Sequence, residues 1–296
     1  MKLFKQPLSR RHFLAASGAG LLAAAGRAYA ADGLRVATLD WAILETLLAI
    51  GANVVAATEL RQFREAAVTP DLPASVLDLG LRGTPNFEVL RYARPDLIFN
   101  SNFYGWANDR MRLIAPVESH AVYSTGRSPY ALSEEMTLAI GERLGLPAAQ
   151  TFVASCRDRL DAYRREWATA ERRPILPINL GDARHFRVFG SDSMFGVILA
   201  RMGMENAWRT LTSYSATAPV GIAALATMQE AWIVLIPPHP AEAYAELQDS
   251  AFWQALPAVR AGRVITLEPI DPYGALPAGM RFAELLSKGL ARVDNG

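Results

Sequence analysis

The chain has almost no cysteine. Cys156 stands alone among 296 residues, which excludes an intramolecular disulfide and any cysteine metal cage. It falls in a helical pattern and reads as a small buried side chain. A lone thiol nucleophile needs a histidine partner, and none stands at a recognisable spacing. Histidine is also scarce. Beyond residue 30 only His120, His185 and His239 occur, a poor inventory for a free metal ion. Neither G-x-S-x-G nor H-E-x-x-H is present, and Gly190-Ser191-Asp192-Ser193 lacks the second glycine of a nucleophile elbow. No residue is therefore assigned a catalytic or metal-ligating role, and an exported hydrolase is the weakest of the readings. An excess of basic charge is missing too. With 30 Lys and Arg against 29 Asp and Glu, the chain has no electrostatic footprint for nucleic acid.

Long apolar runs are lacking with one exception. Residues 13–25 are apolar, follow Lys2, Lys5, Arg10 and Arg11, and precede Ala28-Tyr29-Ala30. That is a basic segment, a short apolar core and a small-residue cleavage site. Ser9-Arg10-Arg11-His12-Phe13-Leu14 looks like a twin-arginine signal. The run is too short for a stable membrane span. Residues 1–30 are thus expected to be an export signal, cleaved near Ala30 or kept as an anchor. Without them 25 basic residues face 29 acidic ones, and the remaining chain is mildly acidic.

The stretch around which the rest is organised is residues 77–90, LDLGLRGTPNFEVL, followed by RYARPDLIFN. It reads as strand, glycine turn, helix, strand. The strand is placed over residues 78–82 and ends at Gly83. Pro85 suits a first helical turn, Thr84 is placed as its cap, and Glu88 complements the helix dipole. Arg82 would then lie at the carboxyl end of a strand, where open α/β sheets place ligands. On the local pattern alone, Arg82 reads equally as a structurally paired arginine and Glu88 as a plain helix-start acid.

Strand–helix alternation runs through the chain, so the fold class is α/β. Residues 34–38 and 54–57 are strands around a helix over 42–50. Asn100-Ser101-Asn102-Phe103-Tyr104-Gly105-Trp106 sets three aromatics among small polar residues just past a strand, as a binding loop would. A long helix is expected over 148–173, with Phe152, Cys156, Leu160, Tyr163 and Trp167 in one apolar stripe. Alternation then restarts at residue 175. Residues 211–219 read as a loop containing Tyr214, and 220–228 as a helix. Residues 85–99 line up with residues 220–234, VGIAALATMQEAWIV, so the halves look like two lobes of one design. The expected domains are an export signal (1–30), an N-terminal α/β lobe (31–147), a connecting helix (148–173) and a C-terminal α/β lobe (174–296).

The twin-arginine segment, DLGLRGTPNFEVL, PDLIF, HFRVFGSDSMFGVIL, NAW, FWQALPAVRAGR and PYGA together resemble one family. It is the periplasmic ferric-siderophore binding proteins of ABC importers, of the ferric-hydroxamate (ferrichrome) type, and the likeness covers nearly the whole chain. The resemblance implies a helical-backbone, class III binding protein: two α/β lobes joined by a single long rigid helix, with the ligand in a shallow cleft between them. It implies an iron-transport function in the periplasm, with delivery to an inner-membrane ABC permease and its ATPase, and a monomer without a cofactor. Iron stays in its chelator, so no protein metal ligands are needed.

By the same resemblance Arg82 matches the ligand-binding arginine, Tyr104 the hydrogen-bonding tyrosine and Tyr273 a pocket-wall aromatic. Three positions that carry indoles in the family read Ala66, Ser215 and Asp271 here, so the wall is roomier and more polar. That points away from ferrichrome itself and leaves other hydroxamate or mixed carboxylate–hydroxamate chelates. Trp41, Trp106 and Tyr214 are candidate replacement walls, each of which reads equally as a packed surface aromatic. Glu88 fits the first-lobe acid that docks on permease arginines. The repeat puts Ala223 at the second-lobe position, and Glu205 is the substitute. The other reading with the same fold is another large chelate, haem or a cobamide.

Overall fold

The computed structural model describes residues 33–168, 173–212 and 216–294. The export-signal expectation for residues 1–30 lies outside them. Among the described residues no helix is long and apolar enough to cross a membrane.

The first half opens with β1 (Arg35–Thr38), α1 (Trp41–Ala49), β2 (Asn53–Ala57), α2 (Leu60–Ala66), β3 (Leu77–Asp78) and α3 (Phe87–Ala93). It continues with β4 (Leu97–Ser101), a 3-10 segment (Asn102–Ala107), α4 (Asn108–Arg112) and β5 (Val117–His120). The strands form one parallel sheet in the order β3-β2-β1-β4-β5. A parallel sheet must be covered on both faces, and side-chain alternation delivers this. Val36, Leu97 and Phe99 face one core, while Ala37, Ile98 and Val55 face another.

Two local features of this stretch differ from the sequence expectation. Thr84 is not the cap of α3. Asn86 is, accepting the Glu88 and Val89 N–H groups at 3.0 and 3.1 Å. The strand before it is only Leu77–Asp78. Gly80 adopts a left-handed φ of +77°, so the chain leaves the sheet there, and Arg82 sits in the following turn.

The middle of the chain is α5 (Pro129–Leu144) and α6 (Ala148–Glu166), linked through Gly145 in a left-handed cap. At 1.5 Å per residue α6 spans roughly 28 Å. It reaches both halves: Ala149 is in the first core, while Val153, Cys156 and Leu160 are in the second. Its neighbour α5 does the same, with Met136 and Ile140 in the first core and Tyr130 in the second. The two helices touch at Gly141, where an added Cβ would lie 2.2 Å from the Ala149 Cβ.

The second half holds β6 (Ile175–Leu180), β7 (His185–Val188), α7 (Met194–Arg201), β8 (Thr217–Gly221), a second 3-10 segment (Ile222–Thr227) and β9 (Trp232–Leu235). After these come α8 (Ala241–Asp249), α9 (Ala251–Ala255), α10 (Pro257–Arg260), β10 (Val264–Thr266) and α11 (Leu276–Asp294). Its sheet runs β10-β9-β6-β7-β8. Read from the other edge, this is the order of the first sheet, strand for strand. The difference lies in β7, which follows β6 by a hairpin and is antiparallel, where α1 carries the chain over to make β2 parallel. The aligned segments 85–99 and 220–234 each supply a short helical turn and then a strand next to the central one (β4 beside β1, β9 beside β6). The expected helix over 220–228 is replaced by the end of β8 and the 3-10 segment. Pro219 is tolerated in β8 because β8 is an edge strand.

Gly141→Ala tests the α5–α6 contact. The alanine gains up to about 1 kcal/mol of helix propensity, but overpacking against Ala149 costs roughly 1–3 kcal/mol. A net loss of stability is expected in urea denaturation; a net gain would show that the helices do not meet closely there.

Candidate functional site

Five segments converge on one cavity of about 290 Å³. The turn after β1 brings Asp40 and Trp41, the turn after β3 brings Arg82, and the 3-10 segment after β4 brings Phe103 and Tyr104. The stretch after β5 brings Val122 and Tyr123. The fifth segment comes from the second half: Asp271 and Tyr273, in the loop between β10 and α11. Four of the five leave carboxyl ends of parallel strands, as open α/β sheets dictate.

Arg82 is fixed before any ligand arrives. Its Nε donates to Glu59 Oε2 at 2.7 Å and its backbone N–H to Glu59 Oε1 at 3.0 Å. Glu59 holds a left-handed φ of +51°, a conformation that costs a non-glycine residue about 1 kcal/mol. The guanidinium carbon lies 4.3 Å from the centre of the Trp41 ring, in stacking range. Trp41 is itself anchored by an Nε1–H···O bond of 3.0 Å to Thr58 and packs edge-on against Phe63. Among the described residues, Glu59 is the only acid ion-paired to Arg82, and that pair uses Nε. The terminal nitrogens are left for the cavity.

Tyr104 owes its place to a break in the 3-10 segment, where it takes φ −112° and ψ 22°. The Asn100 side chain donates to the Tyr104 carbonyl at 2.9 Å and fixes the kink. Burial raises the Tyr104 phenol above its ordinary pKa, and the adjacent Arg82 opposes that rise. The hydroxyl therefore keeps its proton at neutral pH and acts as a donor. The pair offers a guanidinium face and a phenol O–H to an electron-rich ligand.

Beneath this face lie buried acids. Asp40 caps α1, accepting from Ala42 and Ile43 at 2.8 and 3.1 Å, and receives the Ser101 hydroxyl at 2.6 Å. Burial raises its pKa despite these bonds. Glu45, fully buried on α1, accepts the backbone N–H groups of Ala275 and Ala278 at the start of α11. Burial and the nearby Asp271 push Glu45 well above the usual carboxylate range. Asp271 is pushed up to about 6, also by burial. The Tyr123 hydroxyl donates to the Gly274 carbonyl at 2.7 Å, a second tie between the first half and this loop.

The structure thus gathers Arg82, Tyr104, Trp41 and Tyr273 at one cavity. Trp106 is not in its wall. The kink at Tyr104 breaks the i, i+3 alignment with Phe103, and Trp106 projects outward, 55 % exposed. Tyr214 and Ser215 lie outside the described residues. Ala66 is no wall residue either, being packed with Phe63 in the first core. Glu88 is exposed in the first turn of α3. Glu205 is exposed and paired with Arg209 at 2.9 Å. Asp40, Glu45 and Tyr123 are additional residues of the site. Among the described residues no group of three His, Cys, Asp or Glu side chains could hold a metal ion.

Two lobes of like topology that meet at a cavity carrying Arg82, Tyr104 and Asp271 define a solute-binding protein of the helical-backbone type. The chain belongs to the periplasmic binding protein family, whose model matches residues 36–270. It is 31% identical over 287 residues to the iron(3+)-hydroxamate-binding protein FhuD of Escherichia coli K12, covering 96% of this chain and 97% of that one. It superposes with a TM-score of 0.83 on FhuD of Vibrio cholerae bound to Fe3+–Desferal, at 23% identity, covering 88% of this chain and 98% of the other. Staphylococcus aureus FhuD2 with bound ferrioxamine B gives a TM-score of 0.69 at 16% identity, with 88% and 98% coverage. Membership makes the chain a binding protein rather than an enzyme and places it outside the cytoplasm.

Stability should carry the mark of these acids. A carboxyl whose pKa rises on folding holds more protons folded than unfolded, so stability falls as pH climbs from the unfolded value to the folded one. For Asp271 the window is 3.8 to about 6. Asp271→Asn is expected to gain about 1–2 kcal/mol at pH 8 and nothing near pH 4, read from urea midpoints. Glu45→Ala should cost about 2–4 kcal/mol by orphaning buried N–H groups, and Glu45→Gln less than half of that.

Proposed function

We propose that the chain captures an iron(III) siderophore of the hydroxamate type in the Arg82–Tyr104 cavity and hands it to an inner-membrane ABC permease and its ATPase. The observation that carries this is the pairing of a pre-anchored guanidinium with a protonated phenol at a cavity supplied by both halves. Ferric hydroxamates present anionic oxygens already bound to iron. Donors of this kind hold such oxygens without competing for the metal. Iron remains in its chelator, so the ligand is cargo and no resident cofactor is required. The ligands of the related proteins, iron(3+)-hydroxamate and ferrioxamine B, support the ligand class.

In this reading the two lobes are residues 31–147 and 174–296, with 148–173 between them. Residues 1–30 direct export by the twin-arginine route, and the protein works as a monomer in the periplasm. Trp41 and Tyr273 serve as cavity walls. Glu88, exposed at the start of α3, and Glu205 meet basic residues of the permease. Such exposed contacts are worth about 0–1 kcal/mol each and act mainly on encounter and register.

Tryptophan-fluorescence titration tests the ligand and the site together. A ferric hydroxamate is expected to quench Trp41, with haem and cobalamin silent. Arg82→Ala should weaken binding at least tenfold (about 1.4 kcal/mol), and Tyr104→Phe about three- to tenfold, the worth of one hydrogen bond. Quenching by haem or cobalamin alone would overturn the ligand class, and unchanged affinity in Arg82→Ala would overturn the site. Glu88→Ala should leave ligand affinity unchanged and slow siderophore-dependent uptake; loss of affinity would contradict a docking role.

A further inference from the structure

Among the described residues Arg82 is the one cation lining the cavity, and its charge is already shared. Glu59 pairs with it directly. Burial raises the pKa of Asp40 and of Asp271, and both stand close enough to Arg82 for its charge to oppose that rise. Arg187 stacks 5.4 Å from the Tyr273 ring and donates to Asn179 at 3.0 Å. Acids therefore outnumber bases around the ligand space.

Among those acids Asp271 is the one with capacity to spare. Asp40 has its oxygens taken up by the α1 cap and Ser101, and Glu59 is bound to Arg82 through both oxygens. Asp271 Oδ1 accepts from the Tyr273 N–H at 3.1 Å, while no hydrogen bond reaches Oδ2 among the described residues. It is only 5 % exposed, yet it lines the cavity.

We infer that Asp271 is a specificity residue that sets the charge of the cargo: the cavity favours iron(III) trihydroxamates bearing a protonated amine and rejects those bearing a free carboxylate. This rests on the ligand class proposed above. An ammonium placed near Oδ2 gains a charge-assisted bond in a desolvated setting. A carboxylate there meets like charges instead, and repulsion of this kind is how sites exclude near-identical ligands. The inference also narrows the chelates left open by the sequence, since mixed carboxylate–hydroxamates fall on the rejected side.

The test uses one chelate with three termini: ferrioxamine B, its N-acetyl derivative and its N-succinyl derivative, all as iron(III) complexes. They differ by the charge of one group, positive, neutral and negative. Affinities are measured by fluorescence titration at about pH 7.5, where Asp271 is ionised. The wild-type protein is expected to bind the ammonium form at least ~10-fold more tightly than the succinyl form, with the acetyl form between. Asp271→Asn keeps the acceptor for the Tyr273 N–H and removes the charge, so the spread should shrink below about threefold. As a check free of mutation, the wild-type spread should also narrow on going to about pH 5 as Asp271 takes up a proton. The titratable and charged neighbours facing it are Asp40 and Glu45 from α1, Arg82, Tyr123, Tyr273 and Arg187; burial raises Asp40 and Glu45 as well, so the narrowing is assigned to Asp271 by its loss in Asp271→Asn.

Equal affinity for the three complexes in the wild-type protein would overturn the inference and leave the siderophore reading standing. So would a spread that persists in Asp271→Asn. Failure of all three to bind would overturn the ligand class and the inference with it.

Discussion

The arrangement depends on one buried carboxyl group. Glu45 reaches from α1 in the first half to the first N–H groups of α11 in the second. Opposing effects act on it. The helix N-terminus favours a negative charge, while burial and Asp271 favour the neutral acid. Burial prevails: the Glu45 pKa is raised well above the usual carboxylate range, while Oε1 caps the helix. The loop before α11 has to come close for this. Gly274 has no side chain, and a Cβ there would lie 2.7 Å from the Glu45 carboxylate. Because that loop is pinned by Glu45 and Tyr123, Asp271 and Tyr273 face Arg82 across the cavity.

The function proposed grows out of this rigidity. Arg82 is bound twice to Glu59 and stacked on Trp41, so little side-chain entropy remains to be lost on binding. Tyr104 is fixed through its carbonyl by Asn100. The helices α5 and α6 each enter both cores and approach closely at Gly141. Changing the angle between the lobes would disturb these packed contacts, so the link acts as a strut. A prebuilt donor face on a stiff frame suits capture of a large, rigid metal chelate.

Much of this was legible in the sequence. Alternating strand and helix signals placed both sheets, and the alignment of residues 85–99 with 220–234 foretold two lobes that prove to share one strand order. Arg82 and Tyr104 were visible as residues just past strand ends. What escaped was decided by tertiary packing. Residues 217–219 look like the end of a loop and 220–221 like the start of a helix, yet together they form an edge strand, which accepts Pro219. Thr84 looked like a cap, but the chain turns at Gly80 and passes that duty to Asn86. Trp106 looked like a wall because sequence spacing does not reveal the kink at Tyr104. Glu45 did leave a signal: it is the one acid in WAILETLLA, a helix otherwise almost wholly apolar, where a lone charge has to find a partner.

The central claim is that an intact ferric hydroxamate sits against Arg82 and Tyr104 with its iron untouched by the protein. The most direct measurement is a crystal structure of the mature protein with ferrioxamine B. An Arg82 terminal nitrogen and the Tyr104 hydroxyl are expected within about 3.2 Å of hydroxamate oxygens, with iron coordinated by the chelator alone. A protein atom bonded to iron, or a chelate seated away from Arg82, would contradict it.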